Sequence, residues 1–264
     1  MKKVNLPEPV EALVLILMTF GGIILSTIII GVVMIDQGQT DQIEDKVFIY
    51  FVLGKILFLL VPVYYSFKKG YDLKKLFRIK RTSLHNIVIT IVLGLCLFII
   101  TDELERLINS FVPLPEYLKQ SLTSLKNISL PYWIVFFIAN VVFIPLSEEG
   151  LFRGFLQVTL ESKGDPTRAV VLTSISWALI YVNPYWAIPI FISGIFIGFV
   201  AWRTQSIWPA VILHAMQNLI ALLLIKSDLS EDFEWYLFGD HVSPLLLVVA
   251  AAGLYYSIQR LRAD

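Results

Sequence analysis

The sequence predicts an all-α polytopic membrane protein, a single bundle of about eight transmembrane helices around a polar intramembrane cavity. Three observations predict it. The 264 residues are 57% hydrophobic and only 16% charged, where soluble domains carry about 25% charged residues. The apolar residues fall into runs of roughly 18 to 25, the length a helix needs to cross a bilayer. The net charge of zero conceals connections that alternate between basic and acidic, as expected of a chain threaded back and forth.

The first run, Val10–Ile35, is too long for a signal-peptide core and lacks an evident small-residue cleavage site, so it reads as a retained helix. The second, Val47–Phe67, contains one charge, Lys55. A lysine there is either snorkelling or internally paired, or belongs to a site. Asn86–Ile100 is the third span and continues into Thr101–Phe111, an acidic amphipathic extension. Pro131–Leu146 is the fourth and runs on as helix through Ser147–Glu161. The others are Arg168–Val182, Tyr185–Ala201, Ile207–Ile225 and Val242–Tyr256, with "NPYW" (Asn183–Trp186) as a tight turn carrying an interfacial aromatic anchor. Three regions follow: residues 1–130, N-terminal helices and a basic loop; 131–225, a catalytic-type core; and 226–264, an acidic loop and the last helix.

Most of the 21 Lys and Arg fall on one set of connections: the N-terminus, Lys68–His85, Ser147–Arg168, Trp202–Ser206 and the C-terminus. Most of the acids fall on the other set. The positive-inside rule then puts both termini in the cytoplasm of a plasma or inner membrane. The stretch "KKGYDLKKLFRIKR" (Lys68–Arg81) is either an ordinary positive-inside loop or a docking surface for anionic lipid or an acidic partner. The single cysteine, Cys96, excludes an intrachain disulfide framework, and His85, His214 and His241 form no HExxH pattern. His85 and His241 read as loop residues.

Two clusters stand out from this apolar background. In "SEEGLFRGFL", Glu149 and Arg153 lie four residues apart, an acid-before-base helical pair. Glu148 points about 100° away. Left outside that pair and facing a partly dry cavity, it suits a general base. The structural alternative is a pair of acids in the first turn of an interfacial helix, where the dipole favours them. In "PAVILHAMQNLIALLL", His214 and Asn218 share one helix face, able to donate to a carbonyl oxygen gaining charge or simply to bond a neighbouring helix. Asn140, two turns before Glu148, reads as a helix–helix hydrogen-bonding residue.

Together these motifs resemble the CAAX-type prenyl endopeptidase and bacteriocin-processing family (CPBP, also called ABI), intramembrane glutamic peptidases. The resemblance runs from about Pro131 to Ile225. It rests on EExxxR at Glu148, Glu149 and Arg153, on HxxxN at His214 and Asn218, and on the connecting "FISGIFIGFVAWRTQSIWPAVILHA". It implies that Glu148 activates a water, that Glu149 and Arg153 orient the site, and that His214 and Asn218 form the oxyanion hole. It requires no cofactor and no metal, although members have also been described as metallopeptidases. The implied partners are the bilayer and a membrane-associated peptide or protein substrate, with no nucleic acid. The sequence departs from the family at FxxxH, where "TSISWALIYVNPYW" puts Trp177 at the aromatic position and Tyr181 at the histidine position. Tyrosine, with an ordinary pKa near 10, does not readily exchange protons near neutrality. An intramembrane endopeptidase is therefore one expectation. A catalytically impaired pseudopeptidase, serving as scaffold or regulator, is the other. A transporter fits less well, because no matched pair of broken segments marks an inverted repeat.

Overall fold

The computed structural model describes residues 6–36, 54–55, 58–181, 184–227 and 235–263. In chain order the described elements are α1 (Pro9–Asp36), α2 (Leu60–Lys68), α3 (Leu73–Leu76), α4 (Leu84–Phe111), α5 (Glu116–Asn127), α6 (Leu130–Glu161), α7 (Pro166–Ile180), α8 (Pro184–Thr204), α9 (Ile207–Lys226), the strands β1 (Leu237–Phe238) and β2 (His241–Val242), and α10 (Pro244–Arg260). Among the described residues, five helices are long and apolar enough to cross a membrane: α1, α4, α6, α8 and α9. The remaining expected spans differ in kind. Val47–Phe67 is described only at residues 54–55 and 58–67, and α7 and α10 are shorter, at 15 and 17 residues. The chain is an integral membrane protein of the all-α class, with one short hairpin among the described residues.

α4 is the central post, with α8, α9 and α10 packed around it. Its buried residues Asn86, Ile89, Thr90, Leu93, Gly94, Leu97 and Thr101 recur at helical spacing. Val88, Ile91, Val92 and Leu95 are exposed on the opposite face. Apolar side chains turned outward need a hydrocarbon solvent, so the pattern is that of a lipid-facing helix. Its N-terminal end is tied to the C-terminal segment by reciprocal bonds between Asn86 and the Arg262 backbone. At its far end a two-stranded hairpin turns at Gly239, whose φ of +64° suits a residue without Cβ. Glu103 holds that hairpin by accepting from the His241 ring and the Val242 amide, at 2.8 and 2.7 Å.

α6 carries the EExxxR motif through 32 residues without a break, as expected for Pro131–Glu161. It widens twice into π-helix, at Ala139–Phe143 and Gly150–Leu156. The first widening has a cause in the sequence. Ile144 N–H bonds back five residues to the Ala139 carbonyl. In that register the Asn140 carbonyl should be met by residue 145, which is proline and has no N–H to give. The carbonyl left over accepts instead from the Asn218 side-chain amide of α9, at 2.9 Å. A proline inside a membrane helix is thus accommodated by local π geometry plus a neighbour's side chain.

The basic connection is more than a charged tether. Leu76, Phe77 and Arg78 are buried. Phe77 stacks on Phe155 with centroids 6.3 Å apart, and Arg78 pairs with Glu161 at the end of α6. Lys68, Lys69, Lys74, Lys75, Lys80 and Arg81 remain exposed on its other side.

Candidate active site

The site is assembled where α6 meets α7, α8, α9 and the Lys55 segment. α8 can lie close to α7 and α6 because Gly194 and Gly198 present only backbone to them. A Cβ added at Gly194 would sit 2.9 Å from Ser174 and 3.2 Å from Trp177, and one at Gly198 would sit 3.0 Å from Gln157. The exposed carbonyls then serve as acceptors. Arg153 donates to Gly194 O at 3.1 Å and Gln157 to Gly198 O at 2.9 Å, two rungs four residues apart on both helices.

Glu148 and Glu149 are both buried, at 1% and 0% exposure, and diverge as adjacent helical residues must. Glu149 Oε1 accepts from Arg153 at 3.1 Å and from His214 Nδ1 at 2.7 Å. Arg153 also stacks over Trp177, 4.5 Å from its centroid. The i,i+4 pair expected from the sequence is present, fully enclosed, with His214 as a third member.

Glu148 differs from expectation. It is not left alone by the Glu149–Arg153 pair, because Lys55 Nζ reaches its Oε1 at 2.6 Å. Trp177 Nε1 donates to Oε2 at 2.7 Å and the Tyr181 hydroxyl to the same atom at 3.1 Å. The Lys55 segment is fixed in turn by Ser147, whose hydroxyl donates to the Lys55 carbonyl at 2.8 Å. A carboxylate in a membrane core is tolerable when each oxygen meets a donor and one donor is a cation. Tyr181, where the resemblance leads one to expect histidine, holds Glu148 through a neutral hydroxyl.

Of the six residues singled out in the sequence, Glu148, Glu149, Arg153, Tyr181 and His214 come together in one contiguous cluster. Trp177 links its two halves, packing edge-on against both Tyr181 and His214 at 5.7 and 5.2 Å. Asn218 is one turn along from His214, half-buried and bonded to Asn140 O. The Asn140 side chain bonds its own helix at Phe136 O. Of the sequence readings of Lys55 (snorkelling, internally paired or part of a site), the structure shows it paired with Glu148. Trp177 carried the signal of an aromatic four residues before Tyr181, but nothing in the sequence marked its indole N–H as a ligand for Glu148. His85 opens α4 and contacts Arg260 O, and His241 lies in the hairpin; both are remote from the cluster.

The expected polar cavity takes a different form. The acids, Arg153 and His214 are packed against one another. Beside them is a cavity of about 210 Å³ walled by apolar residues including Phe20, Ile23, Phe58 and Ile180, with Lys55 and Tyr181 as its polar members. Among the described residues no group of three His, Cys, Asp or Glu is arranged to hold a metal ion.

Residues 130–220, about a third of the chain, match the family model described as type II CAAX prenyl endopeptidase Rce1-like. No curated protein and no solved structure matches the chain. The helices that carry the cluster apart from Lys55 all lie within the matched residues, α6 from its first residue and α9 almost to its end. The segment that supplies every member of the cluster except Lys55 is thus similar to the type II CAAX prenyl endopeptidase Rce1-like family.

Proposed function

We propose that the chain is an intramembrane endopeptidase in which Glu148 activates a water for attack on a peptide bond of a membrane-associated substrate. The observation that carries this reading is the burial of Glu148 among donors from separate parts of the chain, Lys55, Trp177 and Tyr181. Evolution rarely keeps a charge in hydrocarbon without use for it. In this reading Glu148 takes the proton of the attacking water and later returns it to the leaving amine. Glu149 engages His214 at Nδ1 and so fixes the orientation of its ring. Arg153 holds Glu149 in place. The charge alternation of the connections supports an orientation with Glu148 near the cytoplasmic face and both termini on that side.

The test is hydrolysis by purified protein in proteoliposomes of two reporters: a farnesylated peptide ending in a CAAX sequence and an unprenylated, membrane-anchored peptide. Glu148→Gln should lower the rate about 10²–10⁴-fold. Cleavage by that variant at the wild-type rate removes Glu148 from the mechanism.

A second reading is a non-hydrolytic scaffold, favoured by the same bonds: both oxygens of Glu148 are engaged and Tyr181 stands at the histidine position. A Glu148→Ala, His214→Ala double variant that inserts normally should then rescue a deletion strain. Failure to rescue rejects the scaffold.

A further inference from the structure

Lys55 lies outside the family-matched residues, yet it makes the shortest contact to Glu148, 2.6 Å, and its ammonium stands 4.1 Å from the Tyr181 ring centroid. It also borders the apolar cavity, which Glu148, Glu149 and His214 do not. A peptide carbonyl arriving through that cavity meets Lys55 and Tyr181 before any other polar group of the site. Meanwhile the two oxyanion donors implied by the family resemblance are engaged elsewhere. Asn218 donates to the Asn140 carbonyl that Pro145 leaves unpaired, and the Nδ1–H of His214 is committed to Glu149.

We propose that Lys55 is a catalytic residue of this chain, the cation that stabilises the oxyanion. The inference rests on the proteolytic reading above. In the resting site its positive charge is balanced by the Glu148 carboxylate. As water adds to the carbonyl, a C–O bond forms, the π pair moves onto the carbonyl oxygen, and the water's proton goes to Glu148. Glu148 is now neutral, and Lys55 turns its ammonium from the acid to the new oxyanion. When the tetrahedral carbon re-forms its carbonyl, the C–N bond breaks and the amine takes the proton from Glu148. Lys55 neither gains nor loses a proton, and the pair's net charge with the substrate is zero at every stage. A low-dielectric surround makes such charge matching count heavily, because no solvent supplies an alternative.

The experiment compares wild type, Glu148→Gln, Lys55→Met, Lys55→Gln and Lys55→Arg on the two reporter peptides, with the thermal unfolding midpoint of each variant measured in the same detergent. Lys55→Met and Lys55→Gln should lower kcat about 10²–10³-fold, as loss of one oxyanion donor does, while KM stays within about threefold. Lys55→Arg should recover at least about tenfold of that loss. Lys55→Gln retains a donor for Glu148 and guards against a Met variant that does not fold. A merely bracing lysine predicts that Gln serves as well as Arg and that losses follow the unfolding midpoint. Wild-type kcat in a folded neutral variant overturns the assignment, as does equality of Gln and Arg. Failure of both neutral variants to fold beside a fully active Arg variant also overturns it, and assigns Lys55 to bracing. If Glu148→Gln is dead while the Lys55 variants are active, only the lysine proposal falls. If wild type cleaves neither peptide, the proteolytic reading falls and takes the lysine proposal with it.

Discussion

Replacing Arg153 by Met tests whether the enclosed ion cluster holds the bundle together. The guanidinium is wholly buried. It donates to Glu149 at 3.1 Å and to the Gly194 carbonyl at 3.1 Å, and it stacks on Trp177. Methionine preserves much of the volume and removes all three interactions. Breaking a buried pair by deleting one partner costs about 3–5 kcal/mol, chiefly because the other charge is stranded. Here His214 can still donate to Glu149, which favours the lower half of that range. The orphaned Gly194 carbonyl adds about 1 kcal/mol, so a total of about 4–5 kcal/mol is expected. Reversible unfolding in mixed micelles, followed by tryptophan fluorescence, measures it. Adding Glu149→Gln to Arg153→Met should restore at least about 1.5 kcal/mol, because the stranded charge is gone. A single variant destabilised by less than about 1 kcal/mol, or a double variant no better than the single, refutes the reasoning.

Other consequences are equally direct. Asn218→Ala strands the Asn140 carbonyl and should cost about 1–3 kcal/mol; in a Pro145→Ala background, where residue 145 regains an N–H, the same change should cost less, as the same unfolding assay would show. Gly194→Leu drives side-chain atoms into Ser174 and Trp177, with the first atom already 2.9 Å from Ser174, and should destabilise by about 1–3 kcal/mol or more; an unchanged midpoint rejects the close α7–α8 approach. Arg78→Met leaves Glu161 with Gln157 as its one side-chain partner among the described residues and should cost about 3 kcal/mol, detectable as faster proteolysis between α6 and α7.

The crossing helices were legible because hydrocarbon imposes a simple code: length, apolarity, and charge confined to the connections. The unbroken continuation of α6 through Glu161 was legible too, since "EEGLFR" keeps helical spacing between Glu149 and Arg153. What the sequence concealed was decided by pairs far apart in the chain. Glu148 reads as an unpaired acid until Lys55, 93 residues earlier, is brought against it by Ser147 and the packing of Phe58. Asn218 reads as a donor for substrate until the proline five residues beyond Asn140 is set in π register, after which its amide has an acceptor within the protein. The hairpin before α10 and the helix α5 were missed because neither is apolar enough to register as a span. The basic loop's burial of Phe77 and Arg78 was masked by the charges around them.

Because the counter-charge for Glu148 comes from residue 55 and its acid from residue 148, the boundary of the family segment at residue 130 is not a seam along which the molecule can be divided. A graft of that segment onto foreign N-terminal helices would carry a bare carboxylate into oil. Any ancestor that exchanged those helices had to exchange an ammonium with them, or carry the acid in its neutral form until one was regained.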